Sequence, residues 1–511
     1  MTCPPLCRSF FATASPQMQC CYMEKMPQSW QLTRRRTGHP QATIRAILFA
    51  CLLLLLCQQP GAAYSLLTHE QLIDLTWRDS IVPLLLSRYP TLTPAQLEQA
   101  RAYAYGGCVI QDIGYYPLGD KSFSNLTHYV RSGDFVVNLF RNAGNANELA
   151  FAIGALSHYV GDSTGHSLAT NLAVPIEFPK LRAKYGPVVS YAQGEHQHVQ
   201  AEFAFDVNQI VQHHLAPVAY MRHIGLKVPL QQLGLAFYQT YGLREDFSQK
   251  RGRRINVRAY RFAVHTFIPR IGYALAILHR RHEPAEPDTV DAAEIEKEVA
   301  EIEKENNWDA YRHHAGIGTY MLAGLIFILP KFGPLSLAAI KGPDTKTETD
   351  YLHSVALSTN TLRDMLARFT PPPTTAEGAA AQDPQPASQL LPAKPGAHHD
   401  LPSDPRDPRH PLPNRDLDTG KVIQPGGYSL TDSTYADLLH HLTRQPNDPI
   451  PPGVQLDIEA YYANPDSPIT TKKDPARWAE VQADLKTLAS MPTSTELAPY
   501  PTYDPPEPGN P

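Results

Sequence analysis

Two pairs of metal-binding residue types recur at helical spacing in this chain. His158 and Asp162 lie four residues apart in SHYVGDSTGH, and His198 and Glu202 have the same spacing in HQHVQAE. Residues four apart share one face of an α-helix, and His166 would extend the first face by another turn. Imidazole and carboxylate groups suit zinc, so two such faces meeting in a helical bundle could hold more than one ion. The pattern predicts a metal-dependent hydrolase.

Three further ligand types precede these pairs. His69 lies in YSLLTHEQLI, Asp112 in IQDIGYYP and His128 in LTHYVRSGDF. In a chain with 21 histidines, an isolated pair at this spacing is more often a surface contact that stabilises a helix. The prediction of a multi-metal site therefore depends on the whole ordered set.

Over roughly residues 64 to 205 the chain resembles the zinc-dependent phospholipase C family. Related families are the zinc-dependent single-strand nucleases and the metal-binding domain of glycosylphosphatidylinositol-specific phospholipase D. The resemblance implies ligands in the order amino-terminal residue, His, Asp, His, HxxxD, His and HxxxE. The residues that match this order are Tyr64, His69, Asp112, His128, His158, Asp162, His166, His198 and Glu202.

The resemblance also implies two or three zinc ions and a grouping of the ligands. The three groups are Asp112, His128, His158 and Asp162; His166, His198 and Glu202; and Tyr64 and His69, with Asp162 bridging. Two features depart from the family pattern. His166 follows Asp162 by four residues, where the family usually has six, and Tyr64 replaces the usual tryptophan, whose backbone is the ligand.

The expected reaction is hydrolysis of a phosphodiester by a metal-activated water, with Asp112 orienting or deprotonating that water. The resemblance and the acidic charge favour phospholipase C acting on phospholipids. A single-strand nuclease with the same cluster and a non-catalytic zinc-stabilised binding module remain alternatives. The aromatic residues near the ligands could line a substrate pocket or pack in the core; they are Tyr115, Tyr116, Phe123 and Tyr129.

Residues 1–63 have the features of a secretory signal peptide. Arginines, among them Arg45, precede the apolar run AILFACLLLLLC, and the small residues GAA stand before Tyr64. Cleavage there would give Tyr64 the free amine that the resemblance requires of its first ligand. The expected location is secreted or periplasmic, with a membrane-anchored form less favoured. The long basic region leaves Met26 as an alternative start.

Composition agrees with an exported enzyme that has no disulfides. Six of the 7 cysteines lie in the leader, so the mature chain would keep only Cys108. Without the leader's six basic residues and one acidic residue, 39 basic and 49 acidic residues remain of the chain's 45 and 50, a formal charge of −10. This charge disfavours binding to phosphate polymers, and no specific nucleic-acid partner is predicted. The sequence does not predict an oligomeric state.

The predicted fold is all-α, a multi-helix bundle around a multinuclear zinc site. Thr68 and Thr93 mark helix starts, and NELAFAIGALSHYVGD, apolar on most sides, predicts a central helix that carries His158. The predicted divisions are a catalytic domain at 64–285, a helical extension at 286–370, a disordered Pro-rich linker at 371–425 and a C-terminal segment of unknown role at 426–511.

An apolar stretch lies within the predicted extension. The segment IGTYMLAGLIFILPKFGPLSLAAI is interrupted by Pro330 and Pro334, so it lacks an unbroken bilayer-spanning run. A buried helical hairpin is favoured, and docking to a membrane surface is the alternative.

Overall fold

The computed structural model describes residues 66–116, 118–245, 247, 250–279, 287–312, 316–328, 340–369, 412–463 and 470–494. These residues all fall within one compact unit, Leu53–Pro511. The predicted signal peptide, Tyr64 and residues 371–411 of the predicted linker lie outside the described residues.

The described chain is almost entirely helical, as the sequence predicts. The helices up to residue 245 are α1 (Leu66–Thr76), α2 (Val82–Arg88), α3 (Pro94–Gly107), α4 (Lys121–Tyr129), α5 (Ser132–Arg141), α6 (Ala146–Gly165), α7 (Asn171–Glu177), α8 (Pro179–Tyr185), α9 (Glu195–Val211), α10 (Val218–Ile224) and α11 (Leu230–Tyr241).

The later helices continue the same architecture. They are α12 (Arg251–Phe262), α13 (Ile268–His279), α14 (Val290–Glu305), α15 (Ile317–Ile328), α16 (Thr345–Phe369), α17 (Ser429–Thr443), α18 (Pro452–Ala463) and α19 (Pro475–Leu488). A short antiparallel hairpin joins β1 (Arg415–Asp416) to β2 (Lys421–Val422).

Two helix starts show where local sequence decides a boundary and where it does not. Thr93 caps α3 as predicted, in a reciprocal capping box with Gln96. Thr68 does not start the other helix, because α1 already includes Leu66 and Leu67. The carboxylate of Asp206, on α9, accepts hydrogen bonds from the backbone N–H groups of Leu67 and Thr68. This cap comes from a helix far away in sequence.

The core forms around α6, which packs against α3, α5 and α16. Glycine permits the closest of these approaches: a Cβ on Gly154 of α6 would overlap with the carbonyl oxygen of Ala104, and one on Gly107 of α3 would overlap with that of Phe151. The predicted central position of this apolar helix is confirmed. The close packing brings the end of α3 beside the residues of α6 that carry the metal-ligand types.

Residues 412–425, which composition assigns to a disordered linker, form an ordered part of the fold. Leu412 and Leu417 are buried, and the Asn414 side chain bonds with Asp134 of α5. A composition average over 371–425 does not detect these few residues, whose burial depends on surfaces provided by earlier helices.

The helices after α13 differ in how they present apolar residues. In α14, Ile295 and Val299 lie one turn apart on the same side of the helix and are buried in the core. In α15, the described part of the apolar stretch, Phe327 and Ile328 are 71% and 79% exposed, unlike the buried side chains that the favoured hairpin predicts. Residues 329–339, which would form the rest of that hairpin, lie outside the described residues. Within the described residues, no helix has the length and apolar character needed to cross a membrane.

Candidate metal centre

Six different elements bring the predicted ligands into one buried region. His69 lies on α1, Asp112 on a 3₁₀ turn at Gln111–Gly114, and His128 on α4. The pair His158 and Asp162 lies on α6, and His166 is the first residue of the π-helical turn His166–Thr170 that follows. The pair His198 and Glu202 lies on α9. At most 1% of each ligand residue is exposed; the residues are His69, Asp112, His128, His158, Asp162, His166, His198 and Glu202. Tyr64 lies outside the described residues.

The first group surrounds Asp162. Oδ2 of Asp162 lies 3.0 Å from Nε2 of His158 and 3.3 Å from Nε2 of His128. Asp112 completes the group, with its Oδ1 at 3.3 Å from the same His128 nitrogen. The other oxygen of Asp162, Oδ1, lies 3.1 Å from Nε2 of His69. Asp162 therefore has the geometry of a bridge between two sets of imidazoles.

The second group lies at the junction of α6 and α9. Oε1 of Glu202 is 3.0 Å from Nε2 of His198 and 3.4 Å from Nε2 of His166. The two imidazole centroids are 4.8 Å apart. His166 joins this group although it follows Asp162 by only four residues.

The tautomers of three histidines can be deduced from what their Nδ1 atoms face. In His128, His158 and His166, Nδ1 lies 2.7–2.9 Å from a backbone carbonyl oxygen. A carbonyl oxygen only accepts, so each Nδ1 carries a proton, and each ring when neutral directs an unprotonated Nε2 inward, where it can bind a metal ion.

In the neutral rings, these Nε2 atoms face ionised carboxylates that also have only lone pairs to offer. No described residue forms a hydrogen bond of acceptable geometry with either carboxylate oxygen of Asp112, Asp162 or Glu202. Buried charges that face acceptors are unfavourable unless a cation lies between them. The donor set, imidazole nitrogen and carboxylate oxygen at mutual distances near 3 Å, fits zinc.

Each group of ligands satisfies the distances needed to hold an ion. Within each of three sets, one ligand atom per residue lies within 4.8 Å of the others; the sets are His69, His158 and Asp162; Asp112, His128 and His158; and His166, His198 and Glu202. The structure thus brings together all the predicted ligands that it describes.

Comparison with known families agrees with this arrangement. Residues 68–245 match the family model for zinc dependent phospholipase C. This part of the chain belongs to the zinc-dependent phospholipase C family. No curated protein and no solved structure matches the chain at a significant level. We call residues 68–245 the phospholipase C segment; it contains every described ligand.

The pKa values of several proposed ligands are shifted by burial and by neighbouring charges. Burial opposes the charged form of His128, but the carboxylates of Asp112 and Asp162 outweigh it and raise its pKa to about 10. Without a metal ion, the first group would therefore hold a proton. Burial raises the pKa of the Glu202 carboxyl well above its usual range, and burial together with His166 lowers the pKa of His198.

The aromatic residues near the ligands divide into core and site neighbours. Phe123 stacks on Phe237 at 4.8 Å in the core, and Tyr116 packs against Tyr260. The rings of Tyr115 and Tyr129 lie 5.5 Å and 5.8 Å from that of His128. Of these four, Tyr115 and Tyr129 border the candidate centre.

Sequence reasoning missed a contribution from outside the phospholipase C segment. Leu417 accepts the Nδ1 hydrogen bond of His166 through its carbonyl oxygen at 2.9 Å. Oδ1 of Asp418 lies 3.7 Å from the same nitrogen. No local motif marks these residues, which follow His166 by about 250 positions; the helical spacing rule gives no information across such a separation.

Proposed function

We propose that this protein is an exported zinc-dependent phosphodiester hydrolase, a phospholipase C that cleaves phospholipids with a metal-activated water. The observation that carries the proposal is the meeting of inward-facing imidazole nitrogens with buried carboxylates whose oxygens form no hydrogen bond of acceptable geometry with a described residue. The family of residues 68–245 supplies the reaction class.

The proposed ligand assignment follows the observed groups. Asp112, His128, His158 and Asp162 would hold one ion, and His166, His198 and Glu202 a second. A third would use His69, Asp162 and the amino-terminal Tyr64. The bridging position of Asp162, with one oxygen toward His69 and the other toward His128 and His158, supports this division.

Bound zinc supplies an activated water and neutralises negative charge on the phosphodiester. The protein's own contribution is to fix the ligands before substrate arrives. Asp162 lies between two sets of imidazoles and contacts both. The backbone carbonyl oxygens of Ser124 and Cys108 fix the rings of His128 and His158. Asp112 lies beside His128, where its carboxylate can orient the attacking water or accept a proton from it.

A phospholipid substrate agrees with the charge of the chain. An acidic protein attracts polyanionic nucleic acid poorly, whereas a lipid headgroup presents a single phosphodiester to the centre. The family's description names phospholipase C. A nuclease built on the same cluster predicts a different substrate, which the following assay distinguishes.

The test compares zinc-loaded protein on phosphatidylcholine vesicles and on single-stranded DNA. We expect release of phosphorylated headgroup, lost in Asp162→Asn and in His158→Ala. His196→Ala is the matched control, because this half-buried histidine lies on α9 beside the centre without belonging to a ligand group. Preferential cleavage of DNA would instead assign a nuclease, and a folded, zinc-loaded protein inert toward both substrates would favour a binding module.

Contact with a membrane surface is part of this proposal. One face of α15 exposes apolar side chains at helical spacing; they are Ile317, Tyr320, Met321, Phe327 and Ile328. α15 packs on α13, which α12 precedes along the chain. α12 exposes arginines at helical spacing, Arg251, Arg254, Arg258 and Arg261, none of which forms an ion pair with a described residue. We propose that these helices dock to the surface of an anionic phospholipid bilayer.

Export would complete the centre chemically. A signal peptide at residues 1–63 would, when cleaved, convert Tyr64 from an amide into a free amine two residues before α1. The intact mass of the secreted protein tests this proposal: a chain that begins at Tyr64 supports it, and a chain that retains residues 1–63 contradicts it.

A further inference from the structure

The centre includes an element that lies outside the phospholipase C segment. We infer that residues 412–428, here called the C-terminal hairpin, orient His166 and thereby support the ion proposed at His166, His198 and Glu202. The inference rests on the proposed function, because it assumes that these residues bind zinc. It assigns Leu417 and Asp418 as positioning residues.

The histidines of the centre differ in what holds their rings. Nδ1 of His128 donates to Ser124 one turn earlier on α4, and Nδ1 of His158 donates to Cys108 at the end of α3. Both partners belong to the phospholipase C segment. His166 has its Nδ1 partner, the carbonyl oxygen of Leu417, in the C-terminal hairpin.

This contact sets the direction of the metal-binding nitrogen. With Nδ1 occupied by Leu417, Nε2 of His166 points toward Glu202, 3.4 Å from Oε1. Oδ1 of Asp418 lies 3.7 Å from Nδ1 and so places a carboxylate oxygen behind the ring. A backbone carbonyl and a carboxylate behind a histidine ligand fix its orientation and increase the basicity of the inward nitrogen.

Asp418 also anchors the hairpin. Its Oδ2 accepts hydrogen bonds from the hydroxyl groups of Tyr129 at 3.0 Å and Tyr428 at 2.6 Å. Its backbone oxygen accepts a hydrogen bond from the side chain of Asn171 at 2.8 Å. The backbone N–H of Leu417 donates to the carbonyl oxygen of His128 at 3.2 Å. The hairpin is thereby tied to both α4 and α7.

The turn of the hairpin rests directly on α6. Gly420 adopts φ +68°, and a Cβ there would overlap with the carbonyl oxygen of Ser163, which lies between Asp162 and His166. The Asp416 carboxylate accepts hydrogen bonds from the backbone of Asp418 and the hydroxyl of Thr419, which stabilises the turn. A side chain at position 420 would force the hairpin away from α6 and from His166.

The experiment measures zinc binding by the full-length protein against a competing chelator, in wild type and in two variants. Asp418→Ala removes the anchor, and Gly420→Ala displaces the turn. We expect one ion to bind roughly 10–100-fold more weakly in both variants, while the remaining ions keep their wild-type affinity. Asp418→Asn, which retains an acceptor oxygen for the tyrosine hydroxyls, should restore part of the affinity.

The control is Lys421→Ala, an exposed position in β2 of the same hairpin; it should bind zinc as wild type does. Thermal unfolding of each zinc-free variant verifies that it is folded, and Tyr428→Phe, which deletes one hydrogen bond to Asp418, provides a milder change if Asp418→Ala does not fold. Folded Gly420→Ala and Tyr428→Phe proteins that bind every ion with wild-type affinity would overturn the inference.

Hydrolysis is scored separately from zinc binding. Loss of one ion in the hairpin variants of a protein that cleaves no phosphodiester would leave the hairpin inference standing and reject the hydrolase. If wild-type protein hydrolyses phospholipid and the hairpin variants keep all their ions, the proposed hydrolase stands and the hairpin inference is rejected.

Discussion

Asp162 occupies the position on which most of the candidate centre depends. Its two carboxylate oxygens face different imidazoles, Oδ1 toward His69 and Oδ2 toward His128 and His158. Glu202, by contrast, faces His166 and His198 through a single oxygen. We therefore expect Asp162 to contribute to two ions and Glu202 to one, although both come from the same kind of i, i+4 pair.

We expect Asp162→Asn to lose two ions and Glu202→Gln to lose one. Replacing a carboxylate with an amide removes the negative charge that holds the cation while preserving shape. Native mass spectrometry of protein dialysed against limiting zinc counts the ions directly. Equal losses in the two variants would show that Asp162 does not bridge.

Glu177 provides a test of stability that is separate from the metal centre. Burial raises the pKa of this α7 carboxyl to about 8, against 4.5 for an unburied glutamate, and Lys341 offsets only part of the shift. Between these two pKa values the folded state keeps a proton on Glu177 that the unfolded state releases. The contribution of Glu177 to the stability of the fold is therefore fully present below pH 4.5 and is lost as the pH rises through 8.

The neutral variant Glu177→Gln should therefore be more stable than wild type at pH 9, by up to about 5 kcal/mol at roughly 1.4 kcal/mol per pKa unit. At pH 4.5 the two proteins should unfold at similar urea concentrations. Glu294→Gln, the same substitution at an exposed position on α14, is the control for the change of side chain. A pH-independent difference for Glu177→Gln would contradict the predicted shift.

At the scale of elements, the sequence predicts well what depends on neighbouring residues. The spacing of His158 and Asp162 places both on one face of α6, and the cap at Thr93 starts α3. The ordered set of ligands also identifies residues from six elements, because the resemblance contains their order. These elements meet because α6 is apolar on most sides and is therefore buried.

What the sequence does not predict depends on contacts between distant residues. Asp206 on α9 caps α1, and Leu417 in the hairpin holds His166; neither pairing leaves a local pattern. The apolar stretch of α15 favours burial by composition, yet no other described element covers the side chain of Phe327, which is 71% exposed. Hydropathy measures how favourable burial would be, whereas the fold determines whether a partner surface exists.

The contact between α3 and α6 determines how accurately two ligand-bearing elements meet. Gly154→Ala should destabilise the protein by about 1–3 kcal/mol, because the new methyl overlaps with the carbonyl of Ala104 and forces the helices apart. The same displacement would separate His158 from its partner at Cys108. Thermal unfolding measures the loss, and zinc binding should weaken with it.

Gly324→Ala is the matched control for this substitution. Gly324 lies in α15, and an added Cβ there would have no neighbour within 4 Å. Alanine should be neutral or stabilise the protein by about 1 kcal/mol, from its higher helix propensity. Equal effects at positions 154 and 324 would attribute the result to propensity and not to helix packing.

In the whole molecule, elements that follow residue 245 pack against the phospholipase C segment. α16 packs against α6, and Tyr351 shares a hydrogen bond with Thr68 on α1 at 2.8 Å. The C-terminal hairpin reaches the other end of the same region through His166. The described elements beyond residue 245 thus contribute to how α1 and α6 are held, so deleting them should affect the centre itself.

α15 and α12 combine two features that suit the surface of an anionic bilayer. The exposed apolar face of α15 can insert among lipid chains, while the arginines of α12 can contact headgroup phosphates. Attraction contributed by arginines is screened by salt, whereas apolar insertion is not. At low salt the protein should bind anionic vesicles and not neutral ones. Its affinity for anionic vesicles should fall as the salt concentration rises.

We expect cosedimentation with vesicles that contain phosphatidylserine, and much less with vesicles of phosphatidylcholine alone. Phe327→Asp and Arg258→Glu should each reduce binding by about tenfold, since each replaces an attractive contact with an unfavourable charge. Leu456→Asp is the control, because this leucine of α18 is likewise exposed, at 50%, but belongs to neither helix. Hydrolysis of a short-chain, water-soluble phospholipid should be unchanged in all three variants. Unchanged vesicle binding by the two test variants would contradict contact of α15 and α12 with the bilayer. Loss of activity on the soluble substrate as well would show that these helices support the centre and not the contact with lipid.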